Sequence, residues 1–255
     1  MIFDSHIHTS FSTDSTMNIL DGIKVARDHN IGLVITDHMD LNYPTNVGFR
    51  FNPNEFFNEY EKFRSEDLLL GIELGMSAQC VEQNKNIIDN YNFDQVIGSQ
   101  HCIGNDDVSN PYLYRNLSMD QMIKNYFEEI VNSLNTHSYI DTLGHIDFIC
   151  RYAPVKDKEI YYDKYCDYID TIINSCIKND VVMEINTRRL KDRTAFDNLK
   201  KIYSRYRELG GRYVTLGSDS HTSRAIIGNF DEGLLLCDLC KVKPIYFKNR
   251  NPEFF

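Results

Sequence analysis

The first nine residues, Met1-Ile2-Phe3-Asp4-Ser5-His6-Ile7-His8-Thr9, form a short apolar run that ends in two histidines separated by one residue. We expect an extended strand here, and residues two apart in a strand point to the same side. His6 and His8 can therefore reach one metal ion together. Two polar residues can equally end a strand at the rim of a sheet, so the rest of the chain must supply matching ligands.

Length and composition limit the class of protein. A chain of 255 residues with 42% hydrophobic composition is predicted to form one domain over residues 1–255, either a barrel or a layered α/β fold. The formal charge of -10 argues against a nucleic-acid surface, which needs clustered basic residues. A small anionic substrate stays compatible with this charge, because metal ions or a few arginines can reverse the potential inside a cleft.

The sequence contains neither a signal-peptide pattern nor a long apolar run, which predicts a soluble cytoplasmic protein without membrane contact. The 7 cysteines are scattered and odd in number, which is typical of reduced thiols. Cys237-Asp238-Leu239-Cys240 has the spacing of half a zinc site, but no second pair exists in the sequence to complete it.

Segments with strand character alternate with segments of helical periodicity. After the N-terminal strand, the predicted strands cover residues 32–38, 68–74, 93–98, 142–146, 181–185, 212–216 and 242–247. The predicted helices cover residues 18–30, 54–64, 78–91, 118–135, 160–178 and 195–209, with one more near the C-terminus, and Pro44, Asn46 and Gly48 mark a loop. This alternation indicates parallel βαβ units, and their number favours a closed or nearly closed α/β barrel over an open sheet.

Polar residues follow the predicted strands at their carboxyl ends, where parallel α/β folds gather functional groups. They are His6 and His8, Asp37 and His38, Glu73, His101, His145 and Asp147, Glu184 and Asn186, and Asp219 and His221. His29 and His137 lie at helix ends instead, and we interpret them as favourable C-terminal charges. Burying six histidines together without metal ions would be costly, so the pattern predicts a multinuclear site for zinc, iron or manganese.

These residues resemble the successive motifs of the PHP (polymerase and histidinol phosphatase) family. The similarity extends from residue 1 to about residue 225 through His6-x-His8, Thr36-Asp37-His38, Gly71-Ile72-Glu73, Gly98-Ser99-x-His101, Gly144-His145-x-Asp147 and Gly217-Ser218-Asp219-x-His221. The resemblance implies a distorted (β/α)7 barrel with two or three divalent metal ions. One ion would be held by His6, His8, Glu73 and Asp219, with Glu73 bridging to a second. That second ion would also bind His101 and His145, and a third would bind Asp14, His38 and His221.

A bridged metal cluster suits phosphate monoester hydrolysis, because it lowers the pKa of bound water and polarises phosphoryl oxygens. The sequence has neither a Gly-x-Ser-x-Gly elbow nor a Gly-x-x-x-x-Gly-Lys phosphate loop, so we assign attack to a metal-bound hydroxide. Asp219 and His221 are the two candidates for protonating the leaving alkoxide.

Arg151 resembles the family arginine that clamps the substrate phosphate, a geometry that a guanidinium supports well. For the second clamp, Arg188 is the first choice and Arg189 the second, since here Glu184-Ile185-Asn186-Thr187 runs directly into two arginines. For Arg151, a solvated surface arginine is the alternative.

Within the family, the motifs most resemble the stand-alone histidinol phosphatases, which implies hydrolysis of L-histidinol phosphate to L-histidinol and phosphate in histidine biosynthesis. One alternative is a PHP phosphoesterase for another small phosphate ester or nucleotide. A second is a PHP-like module that regulates a partner without turnover. The sequence carries no signal for oligomeric state.

Overall fold

A computed structural model describes residues 1–44 and 48–255 of the chain. The strands are β1 (Phe3–Ile7), β2 (Gly32–Ile35), β3 (His38–Met39), β4 (Leu68–Leu70), β5 (Ile72–Gly75), β6 (Val96–Ser99), β7 (Cys102–Ile103), β8 (Asp106–Asp107), β9 (Thr142–Leu143), β10 (Val182–Asn186), β11 (Tyr213–Gly217), β12 (Lys243–Lys248) and β13 (Asn251–Phe254). The helices are α1 (Ile19–His29), α2 (Pro53–Tyr60), α3 (Val81–Asn90), α4 (Met119–Thr136), α5 (Ile149–Tyr152), α6 (Tyr162–Lys178), α7 (Arg193–Glu208) and α8 (Phe230–Cys240).

The parallel strands follow one another around a barrel. β1 pairs with β2 and β2 with β4, while a second sheet runs in the order β3-β5-β6-β9-β10-β11 and continues into β12 and β13. The two sheets join because β2 leads into β3 and β4 leads into β5. A parallel bridge between Ile7 and Ser220 then brings the end of β1 to the end of β11. The predicted distorted (β/α)7 barrel is confirmed.

Two local features account for the distortion. Gly71 separates β4 from β5 at a point where the backbone passes close to that of Gln95. A Cβ at residue 71 would lie 2.8 Å from the Gln95 carbonyl oxygen. The beginning of β11 pairs with β12 through Tyr213 and Lys243, whereas its end turns toward β1. β12 then pairs antiparallel with β13, so this hairpin extends the sheet beyond the ring of parallel strands.

The helices cover the outside of the barrel with one apolar face each. Side chains cap the first turns of three helices: Asn18, Ser118 and Asp192 accept hydrogen bonds from backbone N–H groups at the starts of α1, α4 and α7. Phe56 and Tyr60 of α2 are fully buried, whereas Phe57 is only partly buried. No helix among the described residues is long and apolar enough to cross a membrane.

The predicted helices and strands lie within a few residues of those observed, with some differences. The strand predicted for 142–146 ends at Leu143, and the chain then forms the short helix α5, which carries Arg151 and was not predicted. The predicted loop of Pro44, Asn46 and Gly48 falls partly on residues 45–47, outside the described residues. Each of the seven cysteines lies in the described part and has a free thiol; Cys237 and Cys240 are buried within α8.

His137 differs from its predicted role as a charge at a helix end. It does cap the C-terminus of α4, but it is fully buried, and burial lowers the pKa of its imidazole. The neutral ring donates from Nδ1 to the carbonyl oxygen of Ser133 over 3.0 Å, so a hydrogen bond replaces the expected charge.

Candidate metal centre

The carboxyl ends of the strands bring all nine predicted metal ligands into one cluster. His6 lies in β1, His38 in β3 and Glu73 in β5, and the others lie in the segments that follow strands. The barrel closure positions the last of them, because the Asp219 N–H donates to the carbonyl oxygen of His6 over 2.8 Å. Asp219 has a φ of 53°, in the left-handed region that non-glycine residues rarely adopt.

Glu73 is the centre of the cluster, with no exposed side-chain surface. Its Oε1 lies 3.0–3.3 Å from imidazole nitrogens of His6, His101 and His145. Its Oε2 lies 2.8 Å from a ring nitrogen of His38 and 3.5 Å from one of His8. Ser99 donates its hydroxyl to Oε1 over 2.6 Å. This carboxylate thus faces five of the eight other predicted ligands, and two of the remaining three form a pair at the outer side of the cluster.

That outer pair is Asp14 and His221. The Asp14 carboxylate lies 3.1 Å from His221 Nε2 and 3.7 Å from His38 Nε2. The imidazole of His8 stacks on that of His38 and on that of His221, with ring centroids 4.2 Å apart in each case, while the centroids of His38 and His221 lie 5.7 Å apart. The predicted loop residue Asp14 therefore lies beside both histidines with which it was grouped.

The donor atoms form small sets suited to a metal ion. In each set the ligand atoms lie within 4.8 Å of one another: His6, His8 and Glu73; His6, His145 and Asp219; His38, Glu73 and His101; and His8, His38 and His221. Within the described residues, Oε2 of Glu73 and Nε2 of His101 are buried without a hydrogen-bond partner. Buried polar atoms without partners are costly, and a cation would satisfy both, so these residues fit divalent metal ions.

The electrostatics favour a cation in the same place. Burial alone would raise the pKa of the Glu73 carboxyl, but the imidazoles of His6, His38 and His101 lower it well below its usual range. Burial lowers the pKa of His8 well below its ordinary value, and the neighbouring His38 and His221 lower it further. Although burial opposes it, nearby carboxylates raise the pKa of His6, His38 and His101. Positive charge is therefore favoured beside Glu73, and a divalent cation would supply it.

Two further carboxylates hold the histidines from behind, and the sequence analysis did not assign them this role. Asp40 accepts a hydrogen bond from Nδ1 of His101 over 2.8 Å. Glu184 accepts one from Nδ1 of His6 over 2.6 Å and another from the His145 backbone N–H over 2.7 Å. Such partners fix the orientation of an imidazole and raise its basicity.

Glycines make room for these carboxylates. A Cβ at Gly75 would lie 2.0 Å from an oxygen of Asp40, and one at Gly217 would lie 2.3 Å from an oxygen of Glu184. A third carboxylate, Asp37, accepts hydrogen bonds from the backbone and hydroxyl groups of Thr9 and Ser12 over 2.6–3.1 Å. It fixes the loop that leads to Asp14.

The three predicted phosphate-binding arginines take different positions. Arg151 lies on α5 and donates from Nη1 to Oδ2 of Asp219, and Arg188 donates to the Asp219 carbonyl oxygen over 3.3 Å. Both line a cavity of about 280 Å³ together with His38, His101, His145 and His221. Arg189 is paired with Asp147 over 2.7 Å and with Glu159, and it is not among the described residues that line this cavity.

Comparisons with known proteins agree with this architecture. The family model described as PHP domain matches residues 4–188. A protein named probable histidinol-phosphatase from Clostridium acetobutylicum is 46% identical over 250 residues, covering 98% of each chain. A histidinol-phosphatase from Lactococcus lactis is 26% identical over 228 residues, covering 87% of this chain and 84% of that protein.

A solved structure shares the fold. The crystal structure of histidinol phosphate phosphatase from Lactococcus lactis, complexed with zinc, L-histidinol and phosphate, superposes with a TM-score of 0.94. The match covers 99% of this chain and 98% of that one at 24% sequence identity. With the family model matching residues 4–188 and a relative 46% identical along nearly the whole chain, the protein belongs to the PHP family.

Proposed function

We propose that this chain is a metal-dependent phosphomonoesterase that hydrolyses L-histidinol phosphate to L-histidinol and phosphate. The observation that carries the proposal is the buried cluster of imidazoles and carboxylates beside a cavity lined by Arg151 and Arg188. The substrate is taken from the 46% identity, over 98% of each chain, to a protein named probable histidinol-phosphatase. The reaction would place this chain in histidine biosynthesis in the cytoplasm.

The proposed ligands follow the grouping that the family resemblance implies. His6, His8, Glu73 and Asp219 would hold one divalent ion; Glu73, His101 and His145 a second; and Asp14, His38 and His221 a third. The mixture of imidazole and carboxylate accepts zinc, manganese or iron. When bound, such ions lower the pKa of coordinated water and polarise phosphoryl oxygens.

The side chains of the chain itself would bind and orient the ester. Arg151 presents a planar guanidinium that can donate two parallel hydrogen bonds to a phosphate, and Arg188 offers a more exposed second donor. Because Arg189 is held by two carboxylates, we propose that it supports Asp147 behind the cavity. Of the two candidate proton donors, His221 is more exposed than Asp219, whose two oxygens face Arg151 and the histidines.

We further propose that residues 1–255 act as a single PHP domain. β11 leads into Asp219 and His221, which lie beyond the matched residues 4–188, and β12 and β13 continue the same sheet. The expected partner is a small phosphorylated molecule.

The substrate assignment is tested by steady-state kinetics after reconstitution with zinc, manganese or iron. We expect kcat/KM for L-histidinol phosphate to exceed that for p-nitrophenyl phosphate or a nucleoside monophosphate by about 100-fold or more, because polar groups that bind one substrate are left unpaired by another. Equal rates on all esters would favour a general phosphoesterase. Turnover of no ester with any of the metals would favour a regulatory module.

Glu184→Gln is expected to lower metal affinity by about 10- to 100-fold while leaving kcat close to wild type at saturating metal. The carboxylate accepts hydrogen bonds at both oxygens, whereas an amide would turn its NH2 group toward either His6 Nδ1 or the His145 N–H. Metal titration followed by activity measures the effect. Glu59→Gln, at an exposed position on α2, is the matched control. Unchanged metal affinity would contradict the role given to Glu184.

A further inference from the structure

Arg189 joins two carboxylates that lie on either side of α5. Its Nη1 donates to Oδ2 of Asp147 over 2.7 Å, and its Nη2 donates to Oε1 of Glu159. The three side chains are 7–13% exposed, so salt and solvent screen these ion pairs weakly. Asp147 precedes α5 and Glu159 follows it. One guanidinium therefore closes residues 147–159 into a loop.

The short helix inside this loop needs such support. α5 has four residues, and a helix of this length is not stable by itself. Residues 154–157, which follow it, are exposed. Lys158 donates from Nζ to the carbonyl oxygen of Arg151 over 3.3 Å, so the segment beside Glu159 also contacts the end of α5. The direction of the Arg151 side chain thus depends on where this loop is held.

The backbone that carries Arg189 is itself fixed to the barrel. Arg189 ends a single short turn that follows β10. The side chain of Asn186, the last residue of β10, accepts a hydrogen bond from a backbone N–H of this turn over 3.2 Å. Asn229, at the start of α8, donates from Nδ2 to the carbonyl oxygen of Thr187 over 2.9 Å. Arg189 therefore connects the loop around α5 to a firmly held part of the barrel.

Arg189 also affects the charges around Arg151. Burial would lower the pKa of the Arg151 guanidinium, but Asp219 and Asp147 raise it, so both carboxylates lie within electrostatic reach. Nε of Arg151 is buried and has no hydrogen-bond partner in residues 1–44 and 48–255, so it can donate to a phosphate oxygen. Because Arg189 pairs with Asp147, that carboxylate competes less with a phosphate for Arg151.

We propose that Arg189 is a positioning residue for the phosphate clamp: it bridges Asp147 and Glu159 and thereby fixes α5 with Arg151 facing the substrate phosphate. The inference rests on the proposed function and on the role given there to Arg151. Arg189 is not among the described residues that line the cavity, so it acts through Arg151 without contacting the phosphate. Glu159, which is outside the ligand cluster, gains a role in the same device.

The first measurement is the Kd for inorganic phosphate, obtained by titration calorimetry on the zinc-reconstituted protein. Arg189→Met is expected to raise this Kd by about 10-fold at unchanged metal content, because a displaced clamp loses part of a charged hydrogen bond. Glu159→Gln removes one of the two negative charges and should raise it by about threefold. Arg189→Lys keeps the charge but cannot span both carboxylates, so it should recover only part of the affinity. Asp157→Asn, at an exposed position of the same loop, is the matched control and should stay within about twofold of wild type.

A double-mutant cycle separates positioning from a general structural effect. In the Arg151→Met background, Arg189→Met should lower kcat/KM for L-histidinol phosphate by less than about twofold, because residues that act as a unit do not have additive effects. Hydrogen exchange on the metal-free protein supplies a measurement that is independent of turnover. The backbone amides of residues 148–153 should exchange faster in Arg189→Met than in wild type or in Asp157→Asn.

The proposal is overturned if Arg189→Met has the same effect with and without Arg151, if it leaves phosphate affinity unchanged, or if it releases the metal. Should Arg189→Met fail to fold, Glu159→Gln takes its place in each comparison. Failure of wild type to hydrolyse L-histidinol phosphate would overturn the proposed function. The phosphate Kd and the exchange rates would still decide the role of Arg189.

Discussion

Glu73→Gln is expected to lower kcat/KM by about 1,000-fold or more and to reduce the bound metal to less than one ion per chain. The carboxylate lies within 3.5 Å of five imidazole nitrogens, so it faces five of the eight other proposed ligands. An amide of the same shape removes the negative charge and replaces one acceptor oxygen by a donor. Loss of several kcal/mol of metal-dependent transition-state stabilisation corresponds to this reduction in rate.

Metal analysis, kinetics and thermal unfolding together separate this effect from misfolding. β5 is held by backbone pairing with β3 and β6, so the variant should keep the wild-type secondary structure. Glu73→Asp is the informative companion, because it keeps the charge but shortens the side chain, and it should retain more metal than the amide. Glu59→Gln again serves as the control at an exposed position. Full metal content in Glu73→Gln would show that Glu73 does not bridge the ions.

The sequence allowed the arrangement of strands and helices to be predicted because that information is local. Alternating apolar segments and capping residues such as Asn18 and Ser118 mark element boundaries within a few residues. The proposed ligands could be found for a related reason: the carboxyl ends of parallel strands meet at one edge, so residues that follow successive strands must converge.

The remaining features depend on contacts between distant parts of the chain. α5 has only four residues, too few for helical periodicity, so the helix that carries Arg151 could not be predicted. The direction of Arg189 is set by Asp147 and by Glu159, 30 positions away. The roles of Asp40 and Glu184 emerge only when their oxygens are seen to face histidines 61 and 178 positions away.

Arg151→Met is expected to lower kcat/KM for the phosphate ester by about 100- to 1,000-fold, or about 3–4 kcal/mol, while metal content stays at the wild-type level. Arg151 lines the cavity beside the cluster, and only 8% of its side-chain surface is exposed to solvent. Its guanidinium contacts Oδ2 of Asp219, whereas Oδ1 faces His8 at 3.3 Å. Removing a positive charge beside a proposed metal ligand should not weaken cation binding. The loss in kcat/KM is therefore expected to reflect weaker binding of the substrate phosphate.

The measurement combines metal analysis with inhibition by inorganic phosphate, which should weaken in parallel with kcat/KM. Arg151→Lys keeps the charge but not the paired donors, and it should recover only part of the activity. Arg188→Met should lose about tenfold, because this side chain is more exposed and its contacts are longer. Arg193→Met, at an exposed position on α7, is the control. If metal content falls in Arg151→Met as far as in Glu73→Gln, Arg151 supports the metal centre and the phosphate clamp must be sought in Arg188.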